Sequence, residues 1–461
     1  MGNLVKGRGV DLSMEPLQLS FPRGFFLGTA SASYQIEGAV SEDGRGSSIW
    51  DTFSHTPGKI EDGTNGDRAC DHYYRWREDI ELMKQLGVNA YRFSLSWSRI
   101  LPKGRGKINN KGLQFYSDLV DALLDAGITP FVTLYHFDLP QALQDDGGGW
   151  LRRGIVDDFE AYTDAVSVEL GDRVKHWITL NEPWELAWQG YVTGEDAPGL
   201  KLGNNAALKA SHNAMLAHGA AVRTLRDNSS DAEVGIVLHL NMVEPASDRP
   251  EDVAAAHRWE LCQNRWYMDA LYREGYPAEM TKLYGKEAPE VIPGDMEQIQ
   301  EPINFLGVNN YRRSVVATGT DLPPVNMKRI SPPGEYTEMG WEVHPEGLYK
   351  ILKWVHTNYP VPRIYVTENG ASFTDEVTPE GRIHDERRVS YLREHIKQAY
   401  KAMREGVPLK GYFAWSTLDN FEWAYGYSRR FGVIYVDYKT QNRTIKDSGY
   451  FLAEVAKTLR R

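Results

Sequence analysis

A phrase that recurs along the chain narrows its fold more than any other feature. It consists of a helical segment, a glycine, a β-branched residue and then a short apolar strand. It reads Met83-Lys84-Gln85-Leu86-Gly87-Val88 ahead of Ala90–Leu95, and Leu123-Leu124-Asp125-Ala126-Gly127-Ile128 ahead of Phe131–Tyr135. It returns as Met403-Arg404-Glu405-Gly406-Val407 ahead of Gly411–Trp415. A glycine just past a helix can take the left-handed cap, and a strand that is apolar throughout must be buried on both faces. Strands of this kind, separated by helices, form a parallel sheet.

Eight stretches qualify: Phe25–Ala30, Ala90–Leu95, Phe131–Tyr135, Trp177–Leu180, Val234–Leu240, Phe305–Val308, Ile364–Thr367 and Gly411–Trp415. Eight strands in 461 residues predict a single α/β domain, a (β/α)8 TIM barrel with long βα loops. A doubly wound sheet is the alternative, but no Gly-x-Gly-x-x-Gly turn follows the first strand. Helices are expected over Tyr73–Leu86, Asn110–Ala126, Ala206–Arg226, Pro345–Asn358 and Glu386–Arg404. The Pro/Gly-rich stretch Asp321–Gly334 reads as a long loop, not a domain joint. The barrel is expected over residues 21–461, preceded by a flexible leader or cloning remnant over residues 1–20, with Met14 as an alternative start.

Charge and composition limit the partners. A net charge of −11 argues against a nucleic-acid footprint, which needs clustered positive charge. No apolar run is long enough to span a membrane. Met1 to Leu19 lack the apolar centre of a secretory signal. Two cysteines, Cys70 and Cys262, make no disulfide framework and suit a reducing compartment. A cytoplasmic location is expected; oligomeric state is not legible.

In such barrels chemistry collects where the strands end. The residues there are Gln35, Arg92, His136, Asn181 with Glu182, Asn241, Asn309 with Tyr311, Glu368, and Trp415 followed by Glu422 and Trp423. Taken singly, each is more often a loop satisfier than a ligand contact. Together they describe a ring of donors and acceptors suited to hydroxyls, with indole faces for the apolar side of a sugar. His212 and His218 lie in an apolar helix and read as structural. No zinc-type His or Cys set, phosphate-binding loop or serine elbow is present, so no metal or cofactor is expected. Carboxylate chemistry remains. Glu182 and Glu368 each stand at a strand's tip, and a pair of carboxylates is the minimum machinery for breaking a glycosidic bond.

From about Phe21 onward the chain resembles glycoside hydrolase family one, the β-glucosidase family. The resemblance rests on Phe25-Phe26-Leu27-Gly28-Thr29-Ala30-Ser31-Ala32-Ser33-Tyr34-Gln35-Ile36-Glu37-Gly38, Thr179-Leu180-Asn181-Glu182-Pro183 and Tyr365-Val366-Thr367-Glu368-Asn369-Gly370. A fourth block is Trp415-Ser416-Thr417-Leu418-Asp419-Asn420-Phe421-Glu422-Trp423. It implies a retaining mechanism without cofactor, with Glu368 as nucleophile, Glu182 as acid/base, and Arg92 and Tyr311 as partners of Glu368. By the same resemblance Gln35, His136, Asn181, Glu422 and Trp423 bind hydroxyls of the non-reducing sugar. Trp415 floors that subsite, Asn309 belongs to its wall, and Trp341 faces the leaving group. The implied substrates are cello-oligosaccharides or aryl and alkyl β-glucosides.

Three positions depart from the family pattern. Phe137 stands where Trp is frequent, Asn310 where Tyr is frequent, and Leu27 where a larger aromatic is common. Phe137 also occurs in relatives that cleave phosphorylated sugars, but those usually lack the carboxylate kept here as Glu422. Unphosphorylated sugars are therefore favoured, with β-galactosidase or β-fucosidase side activity compatible with Phe137. A 6-phospho-β-glycosidase, a transglycosylase and a catalytically dead sugar-binding protein are the competing readings.

Overall fold

The computed structural model describes residues 19–459; the expected leader over residues 1–20 lies outside them but for its last two. Eight parallel strands close into a barrel. They are β1 (Phe26–Ser31), β2 (Ala90–Ser94), β3 (Thr129–Tyr135), β4 (His176–Asn181), β5 (Glu233–His239), β6 (Phe305–Asn309), β7 (Ile364–Asn369) and β8 (Leu409–Trp415). Neighbours follow chain order, and β1 pairs with β8 to close the ring. All eight expected strands are present.

Alternation along each strand separates two cores. On β2, Tyr91 and Phe93 pack outward against the helices, while Ala90 joins the interior. Phe131, Ile178, Val237, Phe305, Tyr365 and Phe413 fill the barrel. Their rings meet mostly edge to face, Phe131 with Phe413 at 4.9 Å and Phe305 with Tyr365 at 5.1 Å between centroids, an arrangement that the ring quadrupole favours. Glycines make the room: a Cβ on Gly28 would come within 2.5 Å of the Phe413 ring, and one on Gly235 within 2.4 Å of Phe305.

The five expected helices are present, Pro345–Asn358 and Glu386–Arg404 with the expected ends. The sequence reading missed the helix Ile155–Leu170 between β3 and β4, the helices Pro250–Glu260 and Trp266–Tyr272 between β5 and β6, and the closing helix Asp447–Ala456. Asp321–Gly334 is not all loop. Met327–Ile330 forms a strand, antiparallel to Ser314–Asp321, in a small sheet beside the barrel. Lys328 and Arg329 are exposed there, so backbone pairing forms this strand without an apolar pattern. Cys70 and Cys262 are buried free thiols. Among the described residues no helix is long and apolar enough to cross a membrane.

At the C-terminal end of the barrel two strands depart from regular register, and they carry the two acids. Between Val366 and Glu368, β7 advances two residues while β6 advances one; between Ile178 and Asn181, β4 advances three while β5 advances two. A bulge of one residue re-aims the side chains beyond it. Glu182 then enters the left-handed region at φ 45°, and Pro183 starts the helix Pro183–Trp188. Beyond Glu368, a Cβ on Gly370 would lie 1.7 Å from the Trp415 carbonyl oxygen. Only glycine lets β7 leave the barrel past the end of β8.

Candidate active site

The strand ends converge on a buried polar network. Arg92, on β2, points into the barrel mouth and is 1% exposed. Its Nη1 donates to Glu368 Oε1 at 2.5 Å, its Nη2 to Asn181 Oδ1 at 2.6 Å, and its Nε to Thr133 Oγ1 at 3.2 Å. The Tyr311 hydroxyl donates to the other oxygen of Glu368 at 2.5 Å. Both oxygens of Glu368 therefore face a donor, and one of those donors is a full positive charge. Charge-assisted hydrogen bonds of this kind fix the carboxylate in place.

Glu182 meets a different environment. Asn309 Nδ2 donates to its Oε1 at 2.6 Å and to Asn181 Oδ1 at 3.1 Å. Thr367 fixes the Asn309 amide by donating to its Oδ1 at 2.8 Å. No ion pair with Arg or Lys reaches Glu182 among the described residues. Its pKa is raised well above the ordinary glutamate range, first by burial and then by the charges of Glu185 and Glu368, with His239 opposing. The two acids thus hang on one amide-and-guanidinium network that treats them oppositely: Glu368 is charge-paired and Glu182 is kept protonated.

The other expected residues line the same mouth. Asn181 Nδ2 lies 3.1 Å from His136 Nε2, and burial and Arg92 hold His136 neutral by pulling its pKa well down. Gln35 Nε2 donates to the Phe421 carbonyl at 2.9 Å and to Glu422 Oε2 at 3.4 Å. The His136 ring stacks near both Trp415 and Trp423, each at 5.9 Å. Phe137 packs on Trp423 at 5.3 Å. Trp341 leans on Tyr311 at 5.1 Å. Among the described residues, Gln35 Oε1 and His136 Nδ1 are buried without a protein partner, so each has a hydrogen-bonding position open.

Of the departures, Leu27 faces the outer core and not the mouth. Asn310 is buried, and its Nδ2 donates to the Leu240 carbonyl at 2.8 Å, so it ties β6 to the end of β5. Asn241 serves a neighbouring layer: its Nδ2 lies 3.1 Å from His239 Nε2. His212 and His218 are structural in their contacts, with Tyr276 and Asp295 for the first and Thr179 for the second.

Sequence reasoning missed Glu185 and His239. They bond each other, His239 Nδ1 to Glu185 Oε1 at 2.5 Å, beside Glu182. The signal for Glu185 was its place one helical turn beyond Glu182 on a helix that Pro183 starts. One atom each of Glu182, Glu185 and His239 fall within 4.8 Å of one another, the spacing of a metal site. Both nitrogens of His239 already face protein groups, Glu185 and Asn241.

Glu422 also titrates unusually. Burial, then the charges of Glu368 and Asp196, push its pKa from 4.5 up to about 8. Between those values the folded protein holds a proton that the unfolded chain has released, so this group makes stability fall as pH rises. Glu422→Gln removes the contribution. Denaturant unfolding measured from about pH 5 to about pH 8 should give a stability-versus-pH slope more positive than wild type by up to about 1.4 kcal/mol per pH unit. Coincident slopes would contradict the assignment.

Comparison with known proteins gives a consistent picture. The family model for glycosyl hydrolase family 1 matches residues 17–460. Beta-glucosidase A of Thermotoga maritima is 51% identical over 438 residues, covering 95% of this chain and 98% of the relative. Beta-glucosidase A of Acetivibrio thermocellus is 46% identical, covering 95% and 99%. The solved structure of the Thermotoga maritima family 1 β-glucosidase with deoxynojirimycin superposes with a TM-score of 0.93 at 50% identity, over 95% of this chain and 99% of that one.

Proposed function

From the premise that the chain belongs to glycosyl hydrolase family 1, we propose that it is a retaining β-glucosidase. It removes terminal non-reducing β-D-glucosyl residues from cello-oligosaccharides or from aryl and alkyl β-glucosides by double displacement. The observation that carries this reading is the opposite treatment of two acids on one network. Glu368 is ion-paired with Arg92 and accepts from Tyr311, while Glu182 is buried and held protonated.

The steps follow from those states. Glu368 attacks the anomeric carbon as Glu182 protonates the departing glycosidic oxygen, leaving a glucosyl ester on Glu368. Esterification removes the Glu368 charge, which was one of the causes holding the proton on Glu182. Glu182 then takes a proton from water, and that water releases the sugar with retained configuration. Asn181, fixed by Arg92 and Asn309, is placed to bind the hydroxyl beside the anomeric carbon, where hydrogen bonds strengthen in the transition state. Gln35, His136, Glu422 and Trp423 hold the outer hydroxyls over Trp415. We assign this chemistry to the single barrel over residues 21–461.

Glu422 sets the sugar. A 6-phosphate would sit beside its carboxyl group, and a buried charge without a counterion costs several kcal/mol. With one aryl leaving group on several sugars, the β-glucoside should exceed its 6-phosphate in kcat/KM by about a hundredfold or more. Measurable β-galactoside and β-fucoside turnover is expected beside Phe137. A preference for the phosphate would overturn the assignment, and no release from any of them would reject the enzyme reading.

A further inference from the structure

Two arginines act on Glu185 and His239, the neighbours of Glu182, and among the described residues neither has an ion-pair partner. Arg312 directly follows Tyr311, and its guanidinium carbon lies 5.4 Å from the centre of the Trp341 ring. Arg329 lies on the strand Met327–Ile330, opposite Val316, with its guanidinium carbon 5.0 Å from the centre of the Trp259 ring. Trp259 in turn packs edge-on against Trp184 at 5.6 Å, and Trp184 is two residues from Glu182. Arg312 is half-buried and Arg329 exposed. Among the described residues neither guanidinium forms an ion pair or donates a hydrogen bond to the protein, whereas neighbouring Arg313 pairs with both Glu244 and Glu342.

The two guanidiniums act on the same groups. Both influence Glu185 and His239, and each pushes on the other. The titratable groups that face them are Glu185 and the neutral phenol of Tyr425 for Arg312, and Glu185, Glu195, Asp321 and Cys262 for Arg329. Glu185 is buried and its pKa is held up to about 8; Glu195 and Asp321 are exposed to solvent. Unpaired positive charge therefore lies over Trp341, which leans on Tyr311, and acts on the Glu185–His239 pair next to Glu182. Each charge rides on an indole face, a setting suited to a flat, anionic guest that stacks and pairs at once.

We infer that Arg312 and Arg329 form a cationic leaving-group subsite that selects β-glucosides whose aromatic aglycone carries a carboxylate. The inference rests on the β-glucosidase reading and specifies its aglycone. A carboxylate there gains one or two charge-assisted hydrogen bonds that no protein group now takes.

The test compares 4-carboxyphenyl β-D-glucoside with its methyl ester, a neutral probe of nearly the same shape. In the wild-type enzyme the acid should exceed the ester in kcat/KM by about tenfold. That ratio should shrink as salt is raised and collapse toward unity in the R312Q/R329Q double variant, with R312Q and R329Q singly in between. Thermal unfolding of each variant identifies any that fails to fold; the wild-type salt series then stands alone as the readout. Equal rates for acid and ester in wild type, or a ratio untouched by salt and by both substitutions, would overturn the subsite. Absence of ester hydrolysis would instead reject the underlying glucosidase reading.

Discussion

Glu368→Gly should lower kcat for an aryl β-glucoside by about 10^4-fold or more while leaving the fold intact. The side chain it removes is the proposed nucleophile, and losing an enzyme's nucleophile costs rates on this scale. Arg92 would keep its bonds to Asn181 and to the Thr367 carbonyl, so the site should stay formed, and the glycine leaves a space the size of a small anion. Added azide should fill it, attack from the face Glu368 uses, and give the α-glucosyl azide. Rates come from release of the phenol and the product's configuration from NMR. Wild-type-like turnover, or a β-configured azide, would remove Glu368 from this role.

Glu182→Ala should fail in a way that depends on the leaving group. Proton donation is worth about 10^2 to 10^4 in rate when the departing oxygen is basic. Cellobiose and alkyl glucosides should lose about that much in kcat/KM, whereas a dinitrophenyl glucoside, which needs no acid, should lose little. Burial and the neighbouring carboxylates raise the pKa of Glu182, so wild-type activity should fall on the alkaline side as that proton is lost. The variant should show no such limb with the activated substrate. Azide should again accelerate it, this time through the glucosyl-enzyme, to give the β-glucosyl azide. An equal loss on all leaving groups would assign Glu182 to binding instead.

The fold was legible because its information is local. Eight apolar strands, glycines after helices and turn residues between them stand in order along the chain, and barrel closure follows from their number and spacing. The helix Ile155–Leu170 escaped because Ile155, Val156, Thr163, Val166 and Val168 are β-branched, so its pattern competes with that of a strand. The small strand Met327–Ile330 escaped because two of its four residues are exposed and charged.

The site was legible at its tips and illegible in its wiring. Glu182 and Glu368 could be named from where their strands stop. Periodicity cannot show that β4 and β7 each carry one extra residue beside their neighbours, and that is what turns the acids into the mouth. The Glu185–His239 contact joins residues 54 positions apart, and no local pattern announces it. The unpaired state of Arg312 is equally a product of folding: next to it, Arg313 looks the same in sequence yet is fully paired.

In the proposed mechanism a sugar becomes covalently bound to Glu368 during turnover. A 2-deoxy-2-fluoro-β-glucosyl fluoride tests it directly. Its fluorine removes the hydroxyl contact expected at Asn181 and slows release, while its fluoride leaves without help from Glu182. Expected are stoichiometric inactivation, one added fluoroglucosyl group by mass spectrometry, and a label in the peptide that contains Glu368. A label on any other residue would contradict it, as would full turnover of the probe with no adduct.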